Sequence, residues 1–325
     1  MQDILPIGIV VPARDAAAWL AGAIRSVLDQ SLSAWRLVVV DDGSADATAA
    51  VASGFADPRI RLIRQAQLGV SVARNRGAAA ALAAGARALL FLDADDWLAP
   101  DALARLAAAL AEAPHAVAAS GGFVPVTEDG APAGRARRAE SGDVLARLLT
   151  RNLFANGGQV LVRRSAALQV GGFRPELRFA EDWEYWVRLA ALGRFVAVRG
   201  RAAVLFVRRR AAGAYLGAAA DPAAFAPALA AAYAAPGLAA RFGARRLARL
   251  RARMGAEAEW VVGRALLWHG RRAEALARLR HAWVARPGVK RAVLLAWWEA
   301  TALSAGATRR VSAPPGEAVM PGEPG

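Results

Sequence analysis

Four short apolar runs rich in Val, Ile and Leu open the chain, Ile4 to Val11, Arg36 to Val40, Ile60 to Ile63 and Ala88 to Leu92. Runs of this length, separated by stretches of helical spacing, predict strands covered on both faces. Between them, Ala16 to Gln30 sets Trp19, Leu20, Ile24, Val27 and Leu28 at helical intervals, and Val70 to Ala84 is a second amphipathic candidate. Such alternation predicts an α/β fold with a Rossmann-like, mostly parallel sheet flanked by helices. Further on, strand candidates at His115 to Ala119 and Gln159 to Val162 and helix candidates at Asp143 to Thr150 and Glu181 to Leu192 read as a mixed continuation of that sheet. Asp129 to Ser141, with Arg135, Arg137 and Arg138, has no period and reads as a mobile loop.

From Pro236 the pattern turns to basic helices. Trp260, Gly263 and Leu267, then Ala273, Leu276, Leu279 and Trp283, recur at helical intervals around a turn at His269 to Arg272, with Pro287 as the stop. This predicts a C-terminal basic helical extension built on a hairpin, after an Ala/Pro-rich linker at 211–235 and before a disordered tail at 309–325. The hairpin is similar to one tetratricopeptide unit, and no second copy follows it. For Trp283, Trp297 and Trp298, core packing and anchoring at a membrane interface both stay open.

Composition narrows the chemistry. Of 325 residues 56% are hydrophobic and 21% charged, enough apolar material for an ample core. There is no cysteine, which removes disulfides, thiolate nucleophiles and cysteine-held metals. The three histidines, His115, His269 and His281, have no metal-binding or triad spacing. Catalysis here therefore leans on carboxylates. The formal charge of +15 is uneven: residues 241–325 hold 16 basic and 6 acidic side chains, and Lys290 is the single lysine. A basic tail favours anionic surfaces such as acidic lipid headgroups or nucleic acid. The first residues lack a basic n-region ahead of a leader, and the Ala-rich run at 211–240 and Ala292 to Thr308 are interrupted by Pro, Asp or Glu, so neither a secretory signal nor a membrane span is expected.

In open sheets of this kind ligands bind beyond the carboxyl ends of the strands. Those ends carry Pro12-Ala13-Arg14-Asp15, Asp41-Asp42-Gly43-Ser44-Ala45-Asp46 and Asp93-Ala94-Asp95-Asp96. Each aspartate taken singly also suits a helix N-cap. Three acidic ends on one edge, however, repel one another unless a cation neutralises them, which predicts a divalent metal, Mn²⁺ or Mg²⁺. Asp93 and Asp95 supply the minimum carboxylate set for such an ion on a diphosphate, and Asp42 is placed to accept hydrogen bonds from a base or ribose. Glu181-Asp182-Trp183-Glu184-Tyr185-Trp186 is a second acidic cluster, with aromatic rings suited to stacking a sugar and a carboxylate suited to general-base work. At the start of a helix, acids are also favoured by the dipole alone.

The order of these segments, together with Ser71-Val72-Ala73-Arg74-Asn75-Arg76-Gly77 and Gly171-Gly172-Phe173, resembles the family 2 glycosyltransferases of GT-A fold over residues 4–210. The resemblance implies an inverting, metal-dependent transfer of a sugar from a nucleoside-diphosphate sugar to an acceptor hydroxyl. It implies a domain at 1–210, with a nucleotide-binding half at 1–112 and an acceptor-binding half at 113–210, ahead of the helical extension at 236–308. Matched residue by residue, Pro12, Asp15, Asp42, Arg74 and Asp93 would face the nucleotide sugar, Asp93 and Asp95 the metal, and Asp182 would be the base; the acids and rings of the second cluster add Glu181 and Trp183 as the expected border of the acceptor. Arg14-Asp15 departs from the aromatic-Asn pair common after the first-strand proline. No Q-x-x-R-W motif follows Asp182, which points away from processive synthesis.

The expected partners are a nucleotide-sugar donor and a saccharide, lipid-linked or other hydroxyl acceptor in cell-surface polysaccharide or glycolipid assembly. The expected location is the cytoplasm, peripheral at the inner membrane face through the C-terminal helices, with no specific nucleic acid. The competing readings are a sugar-nucleotide nucleotidyltransferase, which would want a Gly-rich loop after the first strand, and a non-catalytic basic module binding membrane or nucleic acid.

Overall fold

The computed structural model of the chain describes residues 6–210, 220–221 and 223–304. The chain divides into two compact units. Met1–Leu145, Phe154–Leu177 and Glu181–Arg208 make the first, and Ala146–Leu153, Arg178–Ala180 and Arg209–Gly325 the second.

The first unit is built on strands β1 (Ile7–Ala13), β2 (Trp35–Asp42), β3 (Ile60–Gln65), β4 (Ala88–Phe91), β5 (Trp97–Leu98), β6 (Ala118–Ser120), β7 (Gly122–Val126), β8 (Val160–Arg163), β9 (Phe195–Ala197) and β10 (Ala203–Arg208). Its helices are α1 (Ala17–Leu28), α2 (Thr48–Ser53), α3 (Val70–Ala83), α4 (Ala102–Glu112), α6 (Arg164–Val170) and α7 (Glu181–Leu192), and its Leu145 opens the turn-length α5 (Leu145–Leu148), whose other residues belong to the second unit. Seven strands form one sheet in the order β3-β2-β1-β4-β8-β6-β9. The first four are parallel, with Ile7 beside Trp35 and Ala88, and Val10 beside Val38 and Phe91. β8 runs antiparallel to both β4 and β6, the mixed continuation that the pattern predicts. Because β1, β2 and β4 are parallel neighbours, their carboxyl ends emerge along one edge.

Burial on both faces of the central strands explains why they read as unbroken apolar runs: Ile9, Val11, Leu37, Val39 and Leu90 on one face and Val10, Val38 and Phe91 on the other are all shielded from solvent. Helix α3 lies so close to the sheet that a Cβ on Gly77 would stand 2.3 Å from Val10 Cγ1 and 3.2 Å from Val40 Cγ2.

A second, three-stranded sheet, β5-β10-β7, has no counterpart in the sequence reading. Its central strand pairs with residues about 110 and 80 positions away, antiparallel to β5 and parallel to β7 respectively, and a local period carries no sign of such partners. Helix α4 was also missed. The segment expected as a mobile loop at 129–141 instead folds back along β7. Thr127 donates to Ala131 at 2.7 Å, and Phe123 and Arg137 exchange backbone hydrogen bonds at 3.1 and 2.7 Å. Backbone pairing, which needs no apolar side-chain period, holds it there.

The second unit contains α8 (Ala226–Tyr233), α9 (Leu238–Phe242), α10 (Ala244–Trp268), α11 (Arg272–Ala285) and α12 (Val289–Ser304). The expected hairpin is α10 and α11, turning at Gly270 with φ 74°. At Gly263 a Cβ would come within 2.7 Å of Leu279 Cγ, so the glycine sets how closely these helices pack. Trp298 of α12 lies 5.9 Å from Trp260 and is buried, which gives it the core role of its two alternatives. Helix α8 occupies part of the expected 211–235 linker. Residues 211–219 and 222, and the expected tail at 309–325, lie outside the described residues.

Replacing Gly77 by Ala is expected to destabilise the first unit by roughly 1–3 kcal/mol, because overpacking against Val10 outweighs the better helix propensity of alanine. Denaturant unfolding followed by tryptophan fluorescence checks this. An unchanged or raised midpoint would contradict the close α3–β1 approach.

Candidate active site

The three acidic strand ends share one edge but do different work. Asp42, closing β2, is only 4% exposed and has both oxygens engaged: Oδ1 accepts from Gln65 Nε2 at 2.7 Å and from the Leu68 amide at 2.8 Å, and Oδ2 accepts from the Gly69 amide at 2.9 Å. It thereby ties the β3–α3 loop to β2 at the start of α3. Asp41 accepts from the Ser44 amide at 3.1 Å and meets Arg64 at 3.3 Å. Asp46 accepts from the Ala17 and Thr48 amides at 3.0 and 2.9 Å. Asp15 accepts from the Ala45 amide at 2.8 Å, while its own amide donates to Ser44 Oγ at 3.0 Å.

The expectation that these ends crowd around a single cation is therefore corrected. Among the described residues no three acidic or histidine side chains gather to hold a metal. The carboxylates on β1 and β2 are compensated by backbone amides, which removes the repulsion that called for an ion. Pro12, the partner of Val40 in the β1–β2 register, is partly exposed beside them.

The segment after β4 is different. Asp93 and Asp95 are partly exposed, alternating with buried Ala94 and Asp96. Asp96 is 3% exposed; its Oδ1 accepts from the Arg208 amide at 2.7 Å and its Oδ2 from Asn156 Nδ2. Burial raises the Asp96 carboxyl well above the usual carboxylate range, and the negative charges of Asp95 and Asp93 raise it further. A surplus of negative charge at this turn suits a cation held by Asp93 and Asp95, with the remaining oxygen ligands coming from a diphosphate.

Arg74 joins this turn to the second acidic cluster. Its guanidinium, on the buried face of α3, donates from Nη2 to Asp93 Oδ1 at 3.0 Å and from Nη1 to Glu181 Oε1 at 2.7 Å, and lies 5.2 Å from the Phe173 ring centroid. Burial by itself would favour loss of its proton, but Asp93, Glu181 and Asp182 outweigh it and hold Arg74 more firmly protonated than a free arginine. Asp182 follows at the first turn of α7, where its Oδ1 accepts from the Trp183 amide at 2.6 Å. Desolvation pushes the Asp182 carboxyl up to about 7; Glu181 adds to the rise, Arg74 opposes it, and Asp93 adds again. A carboxyl poised there can exchange a proton near neutrality.

The loop before α7 is braced from below. Asn75 Oδ1 accepts from the Phe173 amide and Asn75 Nδ2 donates to the Phe173 carbonyl, both at 2.7 Å. A Cβ on Gly172 would fall 2.5 Å from Asn75 Oδ1, which explains the glycine. Glu184, fully buried, accepts from Arg174 Nε and Arg188 Nε at 2.8 Å each, and Arg188 also donates to the Gly172 carbonyl at 2.9 Å. Phe173 stacks on Tyr185 at 4.2 Å and meets Phe91 edge-on at 4.9 Å. Among the described residues, the non-glycine residues with positive φ are Asp15 at 47° and Ala180 at 56°, one in the loop after β1 and the other directly before Glu181. Backbone strain of this kind concentrates at functional sites.

The structure thus brings Arg74, Asp93, Glu181 and Asp182 together, and leaves Asp42 and Asp15 engaged with loops along the β1–β2 edge. Trp183 is corrected. It is 1% exposed and packed in the core, so neither ring face is open to an acceptor. Three residues escaped the sequence reading: Asp96 as the tie between this turn and β10, Asn156, and Arg208, whose Nε donates to the Asp95 carbonyl at 3.0 Å and whose guanidinium lies 4.9 Å from the Trp97 ring. Arg208 closes β10, and nothing local announces the pairing that brings it to Asp95.

Comparison with known proteins agrees with this geometry. The sequence profile of Glycosyl transferase family 2 matches residues 8–171, about half of the chain, and the chain belongs to that family. Among curated relatives, it is 38% identical over 111 residues to the succinoglycan biosynthesis protein ExoO of Rhizobium meliloti, a match covering 33% of this chain and 30% of that protein. It is 38% identical over 101 residues to WfgD of Escherichia coli, named a UDP-Glc:alpha-D-GlcNAc-diphosphoundecaprenol beta-1,3-glucosyltransferase, covering 30% of this chain and 38% of that one. The chain thus spans about a third of the length of these relatives. In fold it is similar to the crystal structure of S. aureus TarS 1–349, with TM-score 0.60 and 16% identity over 92% of this chain and 88% of that one. It is also similar to the mannosyltransferase PcManGT of Pyrobaculum calidifontis, solved with GDP-Man and Mn²⁺, with TM-score 0.57 and 19% identity over 93% and 81%. The fold is of GT-A type, and family membership sets aside the nucleotidyltransferase reading. No described helix is long and apolar enough to cross a membrane.

Raising the Asp182 pKa links stability to pH with a definite sign. Between an ordinary 3.8 and about 7 the folded state binds this proton more tightly than the unfolded state, so the stability it lends is full below pH 4 and is lost as pH rises through 7. Asp182→Asn is therefore expected to be more stable than the parent at pH 8, on the order of a few kcal/mol, with the difference shrinking toward pH 5. Thermal unfolding across pH 5–8 measures it; parallel curves would refute the raised pKa.

Proposed function

We propose that this protein transfers a sugar from a nucleoside-diphosphate sugar to an acceptor hydroxyl, with inversion at the anomeric carbon. The observation that carries the reading is Arg74, which links Asp93 on the nucleotide side to Glu181 beside Asp182, two acids 88 positions apart in the sequence.

Asp182 is the base. Its carboxylate accepts the acceptor's hydroxyl proton as the oxygen bonds to the anomeric carbon and the bond to the diphosphate breaks on the opposite side. Arg74 keeps positive charge between the two acidic segments and favours the ionised form of Asp182 that the step requires. Asp93 and Asp95 would hold a divalent cation, which when bound neutralises charge on the departing diphosphate. Asp42, Pro12 and Asp15 border the nucleoside, with the Asp42 carboxylate exchanging loop partners for base or ribose groups. Glu181 orients the acceptor side through its hold on Arg74.

The structural neighbours solved with UDP-GlcNAc and with GDP-Man support a nucleotide-sugar donor. The names of ExoO and WfgD support a role in cell-surface polysaccharide or lipid-linked oligosaccharide assembly. On this reading the acceptor is met at the inner face of the membrane.

Release of nucleoside diphosphate from a panel of UDP- and GDP-sugars with Mn²⁺ or Mg²⁺ tests the reaction, and NMR of the product tests inversion. Asp182→Asn is expected to lower turnover by about 10²–10⁴ while nucleotide affinity stays within a few-fold; lost affinity instead would reassign the residue. Asp95→Ala and chelator should each abolish transfer. Full activity in both would remove the metal from the mechanism.

A further inference from the structure

The second unit carries a block of basic residues with no acid among them. From Arg241 to Gly255 the chain carries six arginines and no acid. At 100° per residue, Arg245, Arg246, Arg249 and Arg253 fall within one 100° sector of α10, a ridge about 12 Å long. All four are exposed, and none has a carboxylate partner among the described residues. Other arginines of the unit are neutralised: Arg278 by Glu259, Arg280 by Glu299, and Arg286 and Arg291 by Glu257.

One turn beyond Arg253, and 40° around the helix, is Glu257. Arg286, just past the end of α11, at 2.9 Å and Arg291 of α12 bind it, so the α11–α12 connection packs beside the end of the ridge. The helix ends on either side of that connection bear exposed aliphatic side chains: Val284 of α11 is 72%, and Val289 and Val293 of α12 are 84% and 63% exposed, with exposed Lys290 between the last two. Val284 also lines an open groove of about 400 Å³ between α11 and α12, walled by Trp283, Ala292 and Leu295. A row of unpaired guanidinium groups next to protruding valines matches the two layers of an anionic bilayer surface, phosphate outside and acyl chain beneath. Nucleic acid fits less well, since aliphatic side chains offer its phosphates nothing and the ring beside the ridge, Phe242, is half-buried and already lies under Arg246 at 5.1 Å, which leaves it no free face for a base.

We infer that this face of the helical unit docks the protein on an anionic phospholipid bilayer, the arginines on lipid phosphates and the valines in the interface. The inference deepens the reading of a lipid-linked acceptor but rests on the helical unit alone.

Sedimentation of the full-length protein with extruded vesicles tests it, using phosphatidylcholine alone against phosphatidylcholine with 30% phosphatidylglycerol (about 7:3). Binding is expected with the anionic vesicles, weakening as salt rises, and absent with the neutral ones. Each arginine near such a surface is worth about 5-fold, so Arg245→Gln/Arg249→Gln/Arg253→Gln should lower partitioning roughly 100-fold. Val289→Ser/Val293→Ser should lower it several-fold without changing the salt dependence. These side chains are exposed, so circular dichroism and the unfolding midpoint should match the parent. Equal binding to neutral vesicles, indifference to the arginine changes, or capture of a duplex oligonucleotide with no vesicle binding would overturn the inference. Vesicle binding without any sugar transfer would support it and count against the transferase reading alone.

Discussion

A buried guanidinium between two carboxylates governs the rest of the first unit. Arg74 is enclosed on the sheet-facing side of α3, and an arginine so placed is tolerable only when its charge is met. Asp93 and Glu181 meet it, and in doing so they fix the turn after β4 against the start of α7. Deleting either acid would leave a desolvated positive charge facing one partner, and deleting Arg74 would leave three acids to repel one another. The arrangement is thus a constraint on position before it is a contribution to chemistry.

The surrounding structure exists to hold that contact in register. Gly77 lets α3 settle on β1, which sets the depth of Arg74. One residue along the helix, Asn75 clasps the backbone of Phe173 from both sides, and Gly172 leaves room for the clasp. Glu184 is held by two arginines and returns one of them to the same loop. Four short sequence motifs are therefore parts of one hydrogen-bonded assembly. The opposite corner is held by Asp96, Asn156 and Arg208, which fasten the turn bearing Asp95 to β10.

The same acid can serve as a cap or as a reactive group, and electrostatic setting decides which. Asp41, Asp42 and Asp46 lie at the same sheet edge as Asp93 and Asp95, yet backbone amides satisfy them. Asp182, with a single backbone amide and two acidic neighbours, is left with its proton affinity raised to about 7. In the helical unit the contrast recurs with opposite sign: arginines facing Glu257 and Glu259 are locked in ion pairs, while those on the outer face of α10 stay open to a partner.

By itself, the sequence determined the alternating strands and helices, the edge on which the acids emerge, the hairpin of α10 and α11, and the family to which the chain belongs. These follow from short-range information: a strand covered on both faces must be apolar throughout, and a helix shows its buried face every three or four residues. Only the tertiary structure decided that Trp183 is core, that Asp42 is engaged with the α3 entry, that residues 129–141 pair with β7, and that β10 brings Arg208 to Asp95. Each of these depends on which distant segments come into contact. A tryptophan or an aspartate is written identically whether it faces a core, a backbone amide or a substrate, so its role is settled by neighbours that lie far off in sequence.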